Sequence, residues 1–186
     1  MNEFIEITMG QLIRKTASLY PDNDALIYPE TGLRLTYAEL LERCTAVAKG
    51  FMALGVKNGD HVSVWTTNLP EWVYLQYGLG MIGAVLVTVN TNYKSSELAY
   101  ILNQSDSTTL VLMEGYRDTN FYAITREVIP ELDRCAPGRT ESDTLPFLKN
   151  VVYIGDRKET PGMFSFDDVL RMGSGVSDRE LEEREN

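Results

Sequence analysis

The chain has 186 residues, 44% of them hydrophobic and 24% charged, with a formal net charge of −10 and one histidine. That length supports a single core of ordinary globular composition, while the acidic balance opposes binding to nucleic acid or anionic lipid, both of which present phosphates. No stretch reaches the ~20 apolar residues of a membrane span, and the start, MNEFIEITMG, lacks the basic region of a secretory signal. A cytoplasmic setting is therefore expected.

Taken in order, Thr8 is placed to cap a first helix over about Met9–Leu19, with Leu12, Ile13 and Ala17 as its packing face. Pro21 and Asp22 end it. Two short strands around the turn Pro29–Gly32 then predict a hairpin spanning Asp24–Thr36. Thr36 and Glu39 have the spacing of a capping box, in which each side chain satisfies a backbone N–H at the helix start. Behind them Leu40, Cys44, Val47, Ala48 and Phe51 fall on one face of a helix that stops at Gly55. Cys44 reads as a reduced core thiol, since neither it nor Cys135 has metal-like spacing.

The central stretch is HVSVWTTNLPEWVYLQYGLGMIGAVLVTVN, His61–Asn90. It predicts a buried strand (His61–Trp65), a polar turn (Thr66–Asn68), a helix capped by Asn68 and opened by Pro70, and a second buried strand (Ala84–Val89). Strand, crossover helix and strand in about thirty residues make a right-handed βαβ unit. A helix follows from about Lys94 to Asn103, capped by Ser95 or Ser96, with Leu98, Ile101 and Leu102 inward and Glu97 complementing its dipole. Thr109–Met113 is a third strand, and Phe121, Ile124, Val128, Ile129 and Leu132 mark a further helix that Pro130 interrupts. Ala136–Lys149 has the composition of a mobile surface loop. Val151–Ile154 is a fourth strand and Ser165–Met172 a short helix. The class is α/β: a mostly parallel sheet flanked by helices, with a small N-terminal β-hairpin. Residues 1–172 form the domain, and 173–186 a polar, acidic tail; Ser177–Asn186 holds five acids and two arginines, too polar to hold itself onto a core.

Open parallel sheets bind ligands beyond the carboxyl ends of their strands, and the turns there are poorly supplied. Thr66–Asn68 has no glycine, and Glu71 in the helix behind it competes with any anion for the positive end of the dipole. Asn90–Ser96 is richer, with Tyr93 and Lys94, but turn formation and capping explain most of it. His61 stands alone at the mouth of a strand. Asp167 and Asp168 complement a helix dipole. Gly173-Ser174-Gly175 is too short for a phosphate loop and no lysine follows it. These residues describe the body of an enzyme without a reaction centre.

The segment order from Leu35 to Leu102 resembles the amino-terminal part of the AMP-forming acyl-CoA synthetases, the adenylate-forming superfamily. The resemblance rests on LTYAEL, a helix ending LGVKNGD, then N-x-P-E-W at Asn68–Trp72, the GAV turn, VN at Val89–Asn90 and EL…IL. Tyr122–Gly138 and LPFLKNVVYIG are similar to the medium- and long-chain fatty acyl-CoA ligase branch. Thr91 departs from the pattern, since many relatives have proline there. The resemblance implies a parent that joins a carboxylate to CoA through an acyl-adenylate, using ATP, CoA and magnesium. The Ser/Thr/Gly phosphate loop, the other nucleotide motifs and the catalytic lysine would lie beyond Asn186. No catalytic residue carries over, and the chain is expected to be inactive alone and to bind no cofactor tightly. Its expected partners are the remainder of its own chain and a fatty acid or other carboxylate, with dimer formation through apolar surface left bare. Asn68, Trp72, Asn90 and Tyr93 are the candidates for a substrate-channel wall. The competing reading is a self-standing α/β ligand-binding or protein-docking domain without catalysis. A Rossmann nucleotide-binding protein is set aside for want of its glycines.

Overall fold

The computed structural model describes residues 6–185. At its centre lie five parallel strands in the order β4-β3-β5-β6-β7: β3 (His61–Trp65), β4 (Val85–Thr88), β5 (Ser107–Met113), β6 (Asn150–Ile154) and β7 (Phe164–Ser165). Strands buried on both faces send alternate side chains to opposite layers. Val62, Val64, Val111, Val152 and Ile154 enter one core; Trp65, Leu110, Leu112, Val151 and Tyr153 enter the other. Ser63 is a fully buried hydroxyl within this ladder, and it pairs with Ser107 at 2.8 Å.

The first core is closed by α1 (Met9–Leu19), α2 (Tyr37–Ala53), α3 (Pro70–Met81) and α6 (Phe166–Met172). The second is closed by α4 (Ser95–Gln104) and α5 (Phe121–Val128), with Trp65 stacked on Phe121 at 4.2 Å between ring centroids. A two-stranded antiparallel hairpin, β1 (Asp24–Tyr28) and β2 (Leu33–Thr36), leads straight into α2. The capping boxes at Thr8 with Gln11 and at Thr36 with Glu39 are both made. Cys44 is buried and reduced, and burial pushes its thiol up to about 12.

Several local expectations give way to tertiary packing. Leu12 is 40% exposed, because α1 docks through its small face of Gly10, Ile13 and Ala17. Asn68 does not cap α3: the N-cap is Leu69, without a side-chain hydrogen bond, and Pro70 needs no donor partner. Neither Ser95 nor Ser96 caps α4; Lys94 takes that place, and its N–H donates to the Glu97 carboxylate at 3.0 Å. β4 is an edge strand rather than a strand buried on both faces, with Val85 45% exposed. The polar segment 136–149 has no regular element but is pinned to the second core by Leu145 and Leu148. The tail differs most. Gly173–Gly175 forms a turn of 3-10 helix, and Asp178–Glu185 forms α7, whose Leu181 is buried in the first core. One apolar side chain in an otherwise charged helix escapes a composition argument.

Helix contacts in the first core depend on glycine. A β-carbon at Gly78 of α3 would lie 2.8 Å from the Cys44 carbonyl oxygen and 2.8 Å from Val47 Cγ1 on α2. A backbone carbonyl cannot step aside, so overpacking outweighs alanine's helix preference of about 1 kcal/mol. Gly78→Ala is expected to lower stability by roughly 1–2 kcal/mol in urea unfolding; a variant as stable as the parent would show that α2 and α3 can separate freely.

Candidate functional site

Three strand ends converge on one side of the sheet. β3 runs out into Thr66–Asn68, β5 into Glu114 and the loop up to Asn120, and β6 into Gly155. Between them lies a groove of about 620 Å³, bordered by Leu69, Glu71, Tyr74, Met113, Glu114 and Tyr153. It shares Tyr28, Leu69 and Pro70 with a second hollow of about 380 Å³, which Asn68, Trp72 and Val73 line together with the hairpin residue Leu26. Both volumes fall in the range of small-molecule sites, and their walls are largely apolar.

The four sequence candidates divide into two pairs. Asn68 and Trp72 border the smaller hollow, Asn68 exposed and Trp72 partly buried against the first core. Asn90 and Tyr93 belong to the turn after β4. There the Asn90 carbonyl accepts the Trp65 indole N–H at 3.0 Å, and its side chain accepts the Asn92 N–H at 2.9 Å. Tyr93 packs on the second core. His61 opens β3 and so lies at the end of the sheet opposite the groove. Asp168 is held below the usual carboxylate range by hydrogen bonds from Ser165 and then Arg171, as befits a helix start.

The most organised polar cluster is one that motif reading misses. Arg157 donates to both Glu114 oxygens, Nη2 to Oε1 at 2.6 Å and Nε to Oε2 at 3.1 Å, and the Tyr153 hydroxyl donates to Oε2 at 2.8 Å. The guanidinium also lies 4.0 Å from the Tyr122 ring centroid. Hydrogen bonds from Arg157 hold Glu114 below the usual glutamate range. Burial, then the Glu114 carboxylate, pushes the Tyr153 phenol up to about 12. With the carboxylate already engaged and the phenol protonated, the cluster ties the end of β5 to the end of β6 and has no proton to exchange near neutrality. The available signal was position alone, since Glu114 and Arg157 lie just past the carboxyl ends of two parallel strands.

A triphosphate needs backbone N–H groups aimed at it, or cations. This end of the sheet presents three carboxylates at the groove, Glu71, Glu114 and Asp156, against one lining cation, Arg43, with Glu71 in the first turn of α3. The residues present do not fit a triphosphate. Among the described residues no cluster of three or more His, Cys, Asp or Glu side chains is placed to hold a metal ion. Nor, among them, is any helix long and apolar enough to cross a membrane.

YngI of Bacillus subtilis (strain 168), whose acyl-CoA synthetase name is provisional, is 46% identical over 186 residues, which is all of this chain and 34% of that protein. The mitochondrial medium-chain acyl-CoA ligase ACSF2 of Mus musculus is 31% identical over 172 residues, covering 92% of this chain and 28% of its own. The crystal structure of the anthranilate CoA ligase AuaEII in complex with anthranoyl-AMP superposes with a TM-score of 0.74 at 22% identity, over 91% of this chain and 29% of that one. The chain thus spans about a third of the length of the relatives it matches. Residues 13–164 match the AMP-binding enzyme family, and the chain belongs to it.

Proposed function

We propose that these residues are the scaffold portion of a longer AMP-forming fatty acyl-CoA ligase. In that reaction a carboxylate attacks the α-phosphate of ATP, giving acyl-adenylate and pyrophosphate, and the CoA thiol then displaces AMP to leave the thioester. The observation that carries the reading is the 46% identity to YngI along every residue of this chain. It is supported by a strand-end groove that sets three carboxylates against one cation, Arg43, where a triphosphate needs a surplus of donors. ATP, magnesium and CoA are accordingly assigned to the part of the longer protein outside these residues, which is also the main partner. Asn68 and Trp72 supply one wall of the acyl channel, because they border an apolar hollow. Asn90 and Tyr93 serve it by fixing the neighbouring turn. The setting is cytoplasmic. Dimer formation draws on apolar side chains left at the surface, such as Ile27 and Val85.

The 186-residue chain is expected to give no heat with ATP or AMP in titration calorimetry and to form no AMP from fatty acid plus ATP. The full-length protein is expected to form AMP and acyl-CoA in equal amounts. Tight ATP binding by the chain, or a full-length protein that makes no acyl-adenylate, would overturn the assignment; the first outcome would favour a self-standing nucleotide-binding domain.

The Glu114 clamp stiffens the groove, and its contribution depends on pH. A carboxylate whose folded value lies below its unfolded one adds stability above the ordinary glutamate range and loses it as pH falls through the lowered value. Glu114 and Arg157 are partly exposed, with side-chain exposures of 46% and 38%, so solvent screening limits the effect. Glu114→Gln is expected to destabilise by about 0.5–1 kcal/mol at neutral pH, with the difference from the parent shrinking as pH falls through the lowered Glu114 value. A Tm difference that stays constant from neutral to acid pH would remove the charge from the account.

A further inference from the structure

On the far side of the first core, α2 and α6 leave a groove of about 460 Å³. Leu41 and Ala46 of α2 and Leu170 of α6 form its apolar walls, and Arg14 of α1 and Lys49 of α2 stand on its rim. Glu42 also faces it, but lies seven residues, about two helical turns, from Lys49. Both cations already hold carboxylates, and both carboxylates come from α7. Arg14 Nε meets Glu185 Oε2 at 2.8 Å, and Lys49 Nζ meets Asp178 Oδ1 at 2.8 Å. Asp178, Leu181 and Glu185 are spaced i, i+3, i+7, so a single face of α7 carries both acids and its one buried apolar anchor.

These contacts are poorly matched as permanent structure. The Lys49 side chain is 18% exposed, while its partner Asp178 is 85% exposed. The Glu185 side chain is 7% exposed, yet its Oε1 is buried with no hydrogen-bond partner and sits where a β-carbon on Gly10 would be. A half-satisfied buried carboxylate is costly to keep in place. The groove beside it has the chemistry of an amphipathic anion site: an apolar trough with cations at its edge, of a volume typical for small ligands.

We propose that this groove binds a free alkyl carboxylate whose head group takes one of the two rim cations, and that α7, docked beside the groove, competes for them by holding Arg14 through Glu185 and Lys49 through Asp178. Binding and α7 docking then compete for Arg14 and Lys49. The proposal is independent of the ligase assignment, because it uses neither the strand-end groove nor a nucleotide.

The test uses the 186-residue chain with sodium decanoate, kept below its micellar range, as the probe and 1-decanol as the uncharged control. Decanoate is expected to shift the amide resonances of Ala46, Lys49 and Leu170 and to raise tryptic cleavage after Arg179 about tenfold as α7 is displaced; decanol is expected to do neither. The Arg14→Gln, Lys49→Gln pair should abolish the decanoate effect. Because that pair could also loosen the fold, Asp178→Asn with Glu185→Gln provides the opposite test: with the competitor removed and the cations kept, decanoate should bind about tenfold more tightly. Absence of decanoate shifts, equal shifts with decanol, or unchanged affinity in the Asp178→Asn, Glu185→Gln variant would each overturn the proposal.

Discussion

Everything in this fold hangs on the register of three strands that have protein on both faces. β3, β5 and β6 pair in parallel without a shift from Val62 and Thr109 onward, so Val62, Val111 and Val152 face one helical layer while Trp65, Leu112 and Tyr153 face the other. Because the side-chain period of a strand is two, a slip of one residue would exchange the two sets and press a tryptophan into the layer built for valines. The hydroxyl of Ser63 adds a second lock. It faces the second layer, where Ser107 answers it and Ser105 answers Ser107 in turn, so a slipped register would leave a buried donor without a partner. The two cores can therefore have different characters. One is lined by small residues that let helices touch, as at Gly78 and at Gly50 against Val169; the other is filled by aromatic stacking.

That constraint explains which parts of the chain were legible in its order of residues. The βαβ unit, the capping box at Thr36 and the break at Pro130 are local events, governed by spacing and by the chemistry of one or two side chains. The failures are all matters of context. Whether Asn68 or Leu69 caps α3 depends on where the chain leaves β3. Whether β4 is central or at an edge depends on which strand comes to lie beside it, which periodicity alone leaves open. Leu12 and Ile13 are both hydrophobic neighbours on a helix, and only docking through Gly10 and Ala17 decides that Ile13 is the buried one. Two polar contacts that tie distant elements together, Glu114 with Arg157 and Glu185 with Arg14, join residues 43 and 171 positions apart. No window of sequence contains either pair.

The candidate site was legible in a more limited way. The family resemblance and the strand-end rule together direct attention to the carboxyl end of the sheet, where Asn68 and Trp72 line a hollow. Asn90 and Tyr93 lie at the same end of the sheet, but their turn holds the Trp65 indole and packs on the second core. Turn residues that double as hydrogen-bond partners for a buried indole are difficult to tell from binding residues by type, since asparagine and tyrosine serve both purposes.

Charge distribution links the two ends of the molecule. A net charge of −10 spread evenly would make the carboxyl ends of the strands repulsive to any phosphate and every surface helix soluble but undocked. Instead the structure spends specific cations on specific acids: Arg157 neutralises Glu114 at the strand ends, and Arg14 and Lys49 hold α7 to the helical layer. Glu71 and Asp156 face the groove together with Arg43. An apolar floor with two carboxylates and one guanidinium at its rim favours an uncharged alkyl chain over a polyanion, because the chain's transfer scales with apolar area while a polyanion meets more negative than positive charge. Under the proposed ligase assignment, the cationic cradle that nucleotide chemistry needs is sought outside these residues, since Arg43 is the one basic side chain lining the strand-end groove.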